Sequence, residues 1–182
     1  MMKKKFILSA VVLFCFIILS SFALLALKPV DSNNAVTFVI KNFGIDTKGE
    51  FKGLKGDIQW NEENPAASSI NVSVNANTIN TNIDSRDKEL KDEAYFNTDK
   101  YPLISFVSTG IIAGSGSYKA TGSLTLKGVT KTISFPFTAT KSANGYLFSG
   151  NFTINRLDYG IGKGSMVLGD DVDIALKVQA VQ

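Results

Sequence analysis

Ile70-Asn71-Val72-Ser73-Val74-Asn75 decides the fold. Apolar and polar side chains alternate without a break. Extended chain puts Ile70, Val72 and Val74 on one face and their polar neighbours on the other. A helix would scatter the same residues around its axis. The stretch predicts a strand with one buried face.

The same period recurs on both sides of it. Val36, Phe38 and Ile40 share a parity, as do Ile58 and Trp60. Ile104 and Phe106 form another pair, followed by Tyr118, Leu124 and Leu126. Ile133, Phe135 and Phe137 come next, then Phe148, Phe152 and Ile154, and finally Val172, Ile174, Leu176 and Val178. Turn signals separate these runs at Asn61–Pro65, Gly114-Ser115-Gly116, Lys127-Gly128, Asn144-Gly145 and Gly160–Gly169. About eight short strands with no intervening helical repeat predict an all-β protein, a closed antiparallel barrel or a sandwich.

One stretch breaks the pattern. Asp84 to Glu93 carries eight charges in ten residues, with Leu90 its only apolar side chain. Asp84 or Ser85 can cap a helix there, and Asp87–Lys91 and Lys88–Asp92 are spaced as i,i+4 pairs. The expectation is a short exposed helix between strands, with Tyr95 and Phe96 packing where it ends.

The start of the chain reads differently. Lys3-Lys4-Lys5 precedes an uncharged, mostly apolar run of 22 residues, Phe6 to Leu27. A basic segment followed by an apolar one describes an export signal, and Ser21-Phe22-Ala23 offers small residues where a cleaving peptidase needs them. An uncleaved anchor is the alternative, since roughly 20 apolar residues span a bilayer. Lipid attachment at Cys15 is disfavoured, because the bulky Phe14 precedes it in the middle of the run. The expected division is therefore 1–27, signal or anchor, and 28–182, one β domain. The expected location is periplasmic or secreted, or membrane-anchored through residues 6–27.

Composition removes several chemistries. There is no histidine, which excludes His-based acid/base catalysis and most zinc sites. The single cysteine excludes an internal disulfide and a thiolate cage. Lys3, Lys4 and Lys5 account for the whole formal charge of +3, so the remainder is neutral and no nucleic-acid partner is expected. No catalytic residue, metal or cofactor is expected.

Three places bear on binding. Gly160-Ile161-Gly162-Lys163-Gly164-Ser165 lacks P-loop spacing and reads as a mobile hairpin or a barrel-rim loop. Asp171 and Asp173 alternate with Val172 and Ile174, as the solvated face of a strand does. The only two arginines, Arg86 and Arg156, each have an acid nearby, Asp87 and Asp158. Their planar forks suit either head-group recognition or a structural ion pair. Nine phenylalanines and Trp60 follow the leader, and they either fill a core or line a cavity.

Four blocks of sequence resemble the YceI-like family of exported lipid- or polyisoprenoid-binding proteins. They are Phe38–Gly44 with Gly49–Gly56, Thr78–Thr81 through Arg86-Asp87 and Tyr95-Phe96 to Phe106–Ser108, Gly122–Lys131, and Phe152–Gly162. Together they cover nearly everything after the leader. The resemblance implies an eight-stranded lipocalin-like barrel with a short helical insertion, in the bacterial cell envelope. It implies non-enzymatic binding of an isoprenoid lipid, quinone or similar amphiphile inside the barrel. A structural or adaptor barrel with a filled core is the alternative. The residues expected to meet the ligand are Phe38, Ile40, Phe43, Phe51, Ile58, Trp60, Val72, Val74, Phe106, Phe135, Phe137 and Phe152, with Arg86 and Arg156. Many members carry a histidine where this chain has Asn42, so any contact made by that histidine is missing.

Overall fold

The computed structural model describes residues 24–182. Its longest strand, β3 (Ile45–Trp60), spans sixteen residues and touches neighbours all along its length. Along one edge it pairs with β1 (Leu25–Pro29) and β2 (Val36–Asn42), and along the other with β4 (Ser69–Asn80). The register against β4 shifts between Glu50, Lys52 and Lys55, and the strand turns through Gly53 and Gly56, both at positive φ. A Cβ on Gly56 would lie 2.1 Å from the Asn71 carbonyl oxygen, so only glycine lets the strands close there.

From β4 the sheet meanders. β5 (Leu103–Ala113), β6 (Tyr118–Leu126), β7 (Val129–Ser142), β8 (Gly145–Asn155) and β9 (Leu168–Val181) pair in sequence, all antiparallel. β9 then pairs with β2 through Val36↔Leu176 and with β1 through Lys28↔Val181, which closes the sheet. β1 and β2 lie end to end against β3 and β9, so nine strands fill eight positions around the barrel. All these ladder partners lie within residues 24–182.

The expected eight-stranded antiparallel barrel is found, and one α-helix, α1 (Asp84–Lys91), interrupts it among the described residues. Neither Asp84 nor Ser85 caps that helix; Ile83 holds the cap position. Asp87 is buried and accepts from the Thr81 backbone N–H at 2.9 Å and from the Thr81 hydroxyl, so it is not the solvent-side partner of Lys91. The last residues of the expected 1–27 segment are part of the sheet. Leu25–Leu27 open β1, with Leu27 buried opposite Ile58. Hydropathy alone could not separate them from the residues before, because the apolar run continues unbroken to Leu27. The expected signal or anchor otherwise lies outside the described residues.

The interior has two halves. At the end where β1 begins, Trp60 is fully buried against Tyr118, Phe137, Tyr146 and Phe148, with ring centroids 4.8–6.1 Å apart. The Tyr118 and Phe148 rings stand edge-on to it at 88°. That packing fills the closed end. The other half is open.

Candidate ligand-binding site

The inward rows of β2, β3, β4 and β9 do not meet in the upper half of the barrel. They leave a cavity of about 960 Å³ that opens between α1, the β6–β7 turn and the loop before β9. Alternation makes the wall apolar: Phe38 and Ile40 come from β2, Ile58 from β3, Val72 and Val74 from β4. Phe106, Phe135, Phe137 and Phe152 continue it around the far side. Phe135 stacks on Phe152 at 4.7 Å and tilts against Phe106 at 5.3 Å. Phe51 bridges Phe38 and Phe96, each at 5.5 Å.

Two residues expected in this wall are elsewhere. Trp60 belongs to the filled end and lies below the cavity. Its parity is inward, but parity does not tell depth along a barrel. Phe43 is 74% exposed, because the chain turns back at Phe43-Gly44 rather than continuing as strand. The turn rotates its side chain off the inward row.

The wall also includes residues outside the expected set. Leu54 and Ile79 line it from β3 and β4, and Leu90, Tyr95 and Phe96 roof it from α1 and the segment after it. Val172, Ile174 and Leu176 line it from β9. Their alternation in the sequence was the available signal. Leu90 carried a signal too, as the lone apolar residue in a charged helix.

Polar groups gather at the mouth. Arg86 donates from Nε to the Thr81 hydroxyl at 2.7 Å and from Nη2 to the Thr81 carbonyl at 2.9 Å. Among the described residues its Nη1 makes no hydrogen bond. Glu89 stands beside Tyr95, and burial together with that carboxylate raises the Tyr95 phenol above its ordinary value. Lys127 donates to the Gly160 carbonyl at 2.6 Å, and the Gly162 N–H donates to the Ala94 carbonyl at 2.9 Å. These bonds tie three segments of the mouth together.

Arg156 reaches the cavity wall but is committed to the rim loop. It is 2% exposed. Nε donates to Gly169 at 2.8 Å, Nη1 to Ile161 at 2.9 Å, and Nη2 to Lys163 at 2.9 Å, all to carbonyls. Nη2 also pairs with Asp170 at 2.8 Å. The expected neighbour Asp158 instead pairs with Lys131 at 3.1 Å. A guanidinium with five donors is suited to hold a loop of converging carbonyls. Asp171 and Asp173 lie on the outer face of β9, where they accept from Asn155 and Thr153.

The model of the YceI-like domain matches residues 27–180. A UPF0312 protein of Yersinia enterocolitica is 32% identical over 154 residues, covering 81% of this chain and 80% of that one. Among solved structures, BcnA of Burkholderia cenocepacia superposes with a TM-score of 0.76 at 24% identity, covering 81% of this chain and 95% of its own. A Campylobacter jejuni YceI protein gives 0.68 at 25% identity, covering 76% and 86%. A polyisoprenoid-binding domain from Saccharophagus degradans gives 0.68 at 17% identity, covering 85% and 97%.

Proposed function

The chain belongs to the family of YceI-like domains, and from that premise we propose that its barrel binds an isoprenoid lipid, a quinone or a similar amphiphile in the bacterial cell envelope. The observation that carries this is the cavity of about 960 Å³, walled by aliphatic and aromatic side chains and open at one end. It lies at the upper end of the usual size for small-molecule sites. The polyisoprenoid-binding domain with the same fold supports the ligand class. The filled-core alternative describes only the closed half.

An apolar tail entering this space gains about 0.8 kcal/mol per buried CH₂. A tail of C40 would nominally exceed the practical ceiling of roughly 18–21 kcal/mol, so ordering costs consume much of the gain. Apolar contact separates neighbouring chain lengths by only about 1–3 kcal/mol, so the wall selects a class rather than one lipid. The head of the ligand stays at the mouth, where the unbonded Nη1 of Arg86 is available to an oxygen. On this reading the site serves binding. Its polar groups hold loops together, and no histidine serves as a proton shuttle.

Organic extraction of protein purified from its host, followed by mass spectrometry, tests the reading. An isoprenoid, quinone or other long-tailed lipid in stoichiometric amount is expected. Protein that carries no lipid and takes up no isoprenoid probe refutes it.

A further inference from the structure

The rim of the mouth carries apolar side chains that cover nothing. Phe43 and Ile45, in and beside the β2–β3 turn, are 74% and 71% exposed, and Met166 in the loop before β9 is fully exposed. The two loops are joined, because the Phe43 N–H donates to the Val167 carbonyl at 2.7 Å. Val167 is both solvent-exposed and part of the cavity wall. Apolar surface therefore runs unbroken from the cavity onto the tip.

The backbone makes the tip more telling. Phe43 has φ 50° and Gly44 φ 75°, in a two-residue turn whose first position usually holds Asn, Asp or Gly. A bulky residue in that region is strained, and strain retained at an exposed position points to use. Charge fits as well. Asp46, Asp158 and Asp170, around the two loops, are paired with Lys41, Lys131 and Arg156. Lys163, on the same loop as Met166, has no ion-pair partner among the described residues.

We propose that the tip formed by Phe43, Ile45, Met166 and Val167 inserts into the surface of a lipid bilayer, with Lys163 facing anionic headgroups. The cavity then opens directly into the lipid phase, and an apolar tail passes between them without crossing water. This rests on the reading of the barrel as a lipid binder, whose ligand is itself a membrane component. Exposed aromatic and aliphatic side chains beside an unpaired cation suit interfacial binding.

Residues 24–182 close their own sheet, so a chain of those residues is the protein to assay. Flotation with vesicles of phosphatidylcholine, with and without phosphatidylglycerol, measures docking. Uptake of a dansyl-labelled farnesyl probe from solution measures the cavity separately. The parent is expected to float, more completely with phosphatidylglycerol. Phe43→Asn with Met166→Ser keeps a residue suited to the turn and should lower vesicle affinity about tenfold or more, with probe uptake unchanged. Lys163→Glu should remove the dependence on phosphatidylglycerol. A parent that does not float, or a double variant that floats as well as the parent, overturns the proposal. So does a parent that pairs mouth to mouth in sedimentation while ignoring vesicles. A parent that floats but takes up no probe leaves bilayer insertion standing and refutes the lipid-binding reading instead.

Discussion

Val72→Trp separates an open cavity from a solid core. Val72 lies on β4 between Gly56 of β3 and Phe106 of β5, and its side chain faces the cavity. The indole adds about seven non-hydrogen atoms. If they displace as many ligand carbons, the nominal loss is roughly 5–6 kcal/mol at about 0.8 kcal/mol each. A tail that reroutes within the remaining space recovers part of this, so the expected loss is about 3–6 kcal/mol, at least a hundredfold in affinity. Stability moves differently. Overpacking a solid core costs about 1–3 kcal/mol, or a fall in Tm of roughly 2–12 °C for a chain of this size. An unfilled cavity should accept the ring within about 2 °C. Ala120→Leu is the control, because Ala120 is fully buried between Ile111 and Phe135, outside the cavity wall. It should show the overpacking cost and keep its lipid. Calorimetry and lipid extraction on both variants decide. A Val72→Trp protein that melts as low as the control, or that retains its lipid, would refute the reasoning.

Two further variants test the frame of the site. Arg156→Lys replaces a fork by a single ammonium, which cannot serve the carbonyls of Gly169, Ile161 and Lys163 together. A cost of about 2–4 kcal/mol is expected, with faster hydrogen exchange across residues 160–168; unchanged exchange would remove Arg156 from its role. At the closed end, Glu62 accepts from Tyr146 at 3.0 Å and pairs with Lys141 at 2.8 Å. The Lys141 hydrogen bond holds the Glu62 carboxyl below its ordinary 4.5. Its contribution is therefore whole above pH 4.5 and lost as pH falls through the lower folded value. Lys141 is raised by the same bond, so its share is lost only as pH rises through a value above 10.5. Glu62→Gln should lower Tm slightly at neutral pH and flatten its acid decline; a parallel decline in both proteins would contradict the pairing.

Alternation made the wall readable because a strand has only two faces. Once one face of β2, β4 and β7 was apolar, closure had to turn it inward. Depth along the barrel left no such mark. Trp60 and Ile58 share a parity, yet one fills the closed end and the other lines the cavity. The long middle of β3 was hidden as well, since Lys52-Gly53-Leu54-Lys55-Gly56 bends through two glycines and loses its alternation. The arginines were legible as important but not in role. Near neighbours in sequence suggested Asp87 and Asp158 as partners, whereas the fold brings Thr81 to Arg86 and Asp170 to Arg156. Such partners depend on loop paths that local sequence does not encode.

The direction of β1 bears on the expected signal or anchor. Leu25 pairs with Trp60 at the filled end, so the residues before it join the barrel opposite its opening. Leu24 alone separates Ala23 from the strand. β9 runs fourteen residues between the two ends. At about 3.3 Å per residue and the usual barrel tilt, that is roughly 33–38 Å. If the expected anchor is retained and its span ends close to Ala23, it holds the mouth about one barrel length from its own bilayer. Cleavage after Ala23 leaves β1 intact and frees the tip to reach that surface. Docking of the proposed tip, Phe43 and Met166, on that bilayer is therefore expected of a chain from which the expected signal has been cleaved. Protein isolated from its host is expected to have the intact mass of a chain beginning at Leu24. A species that retains Phe6–Leu27 would refute cleavage and support the anchor instead.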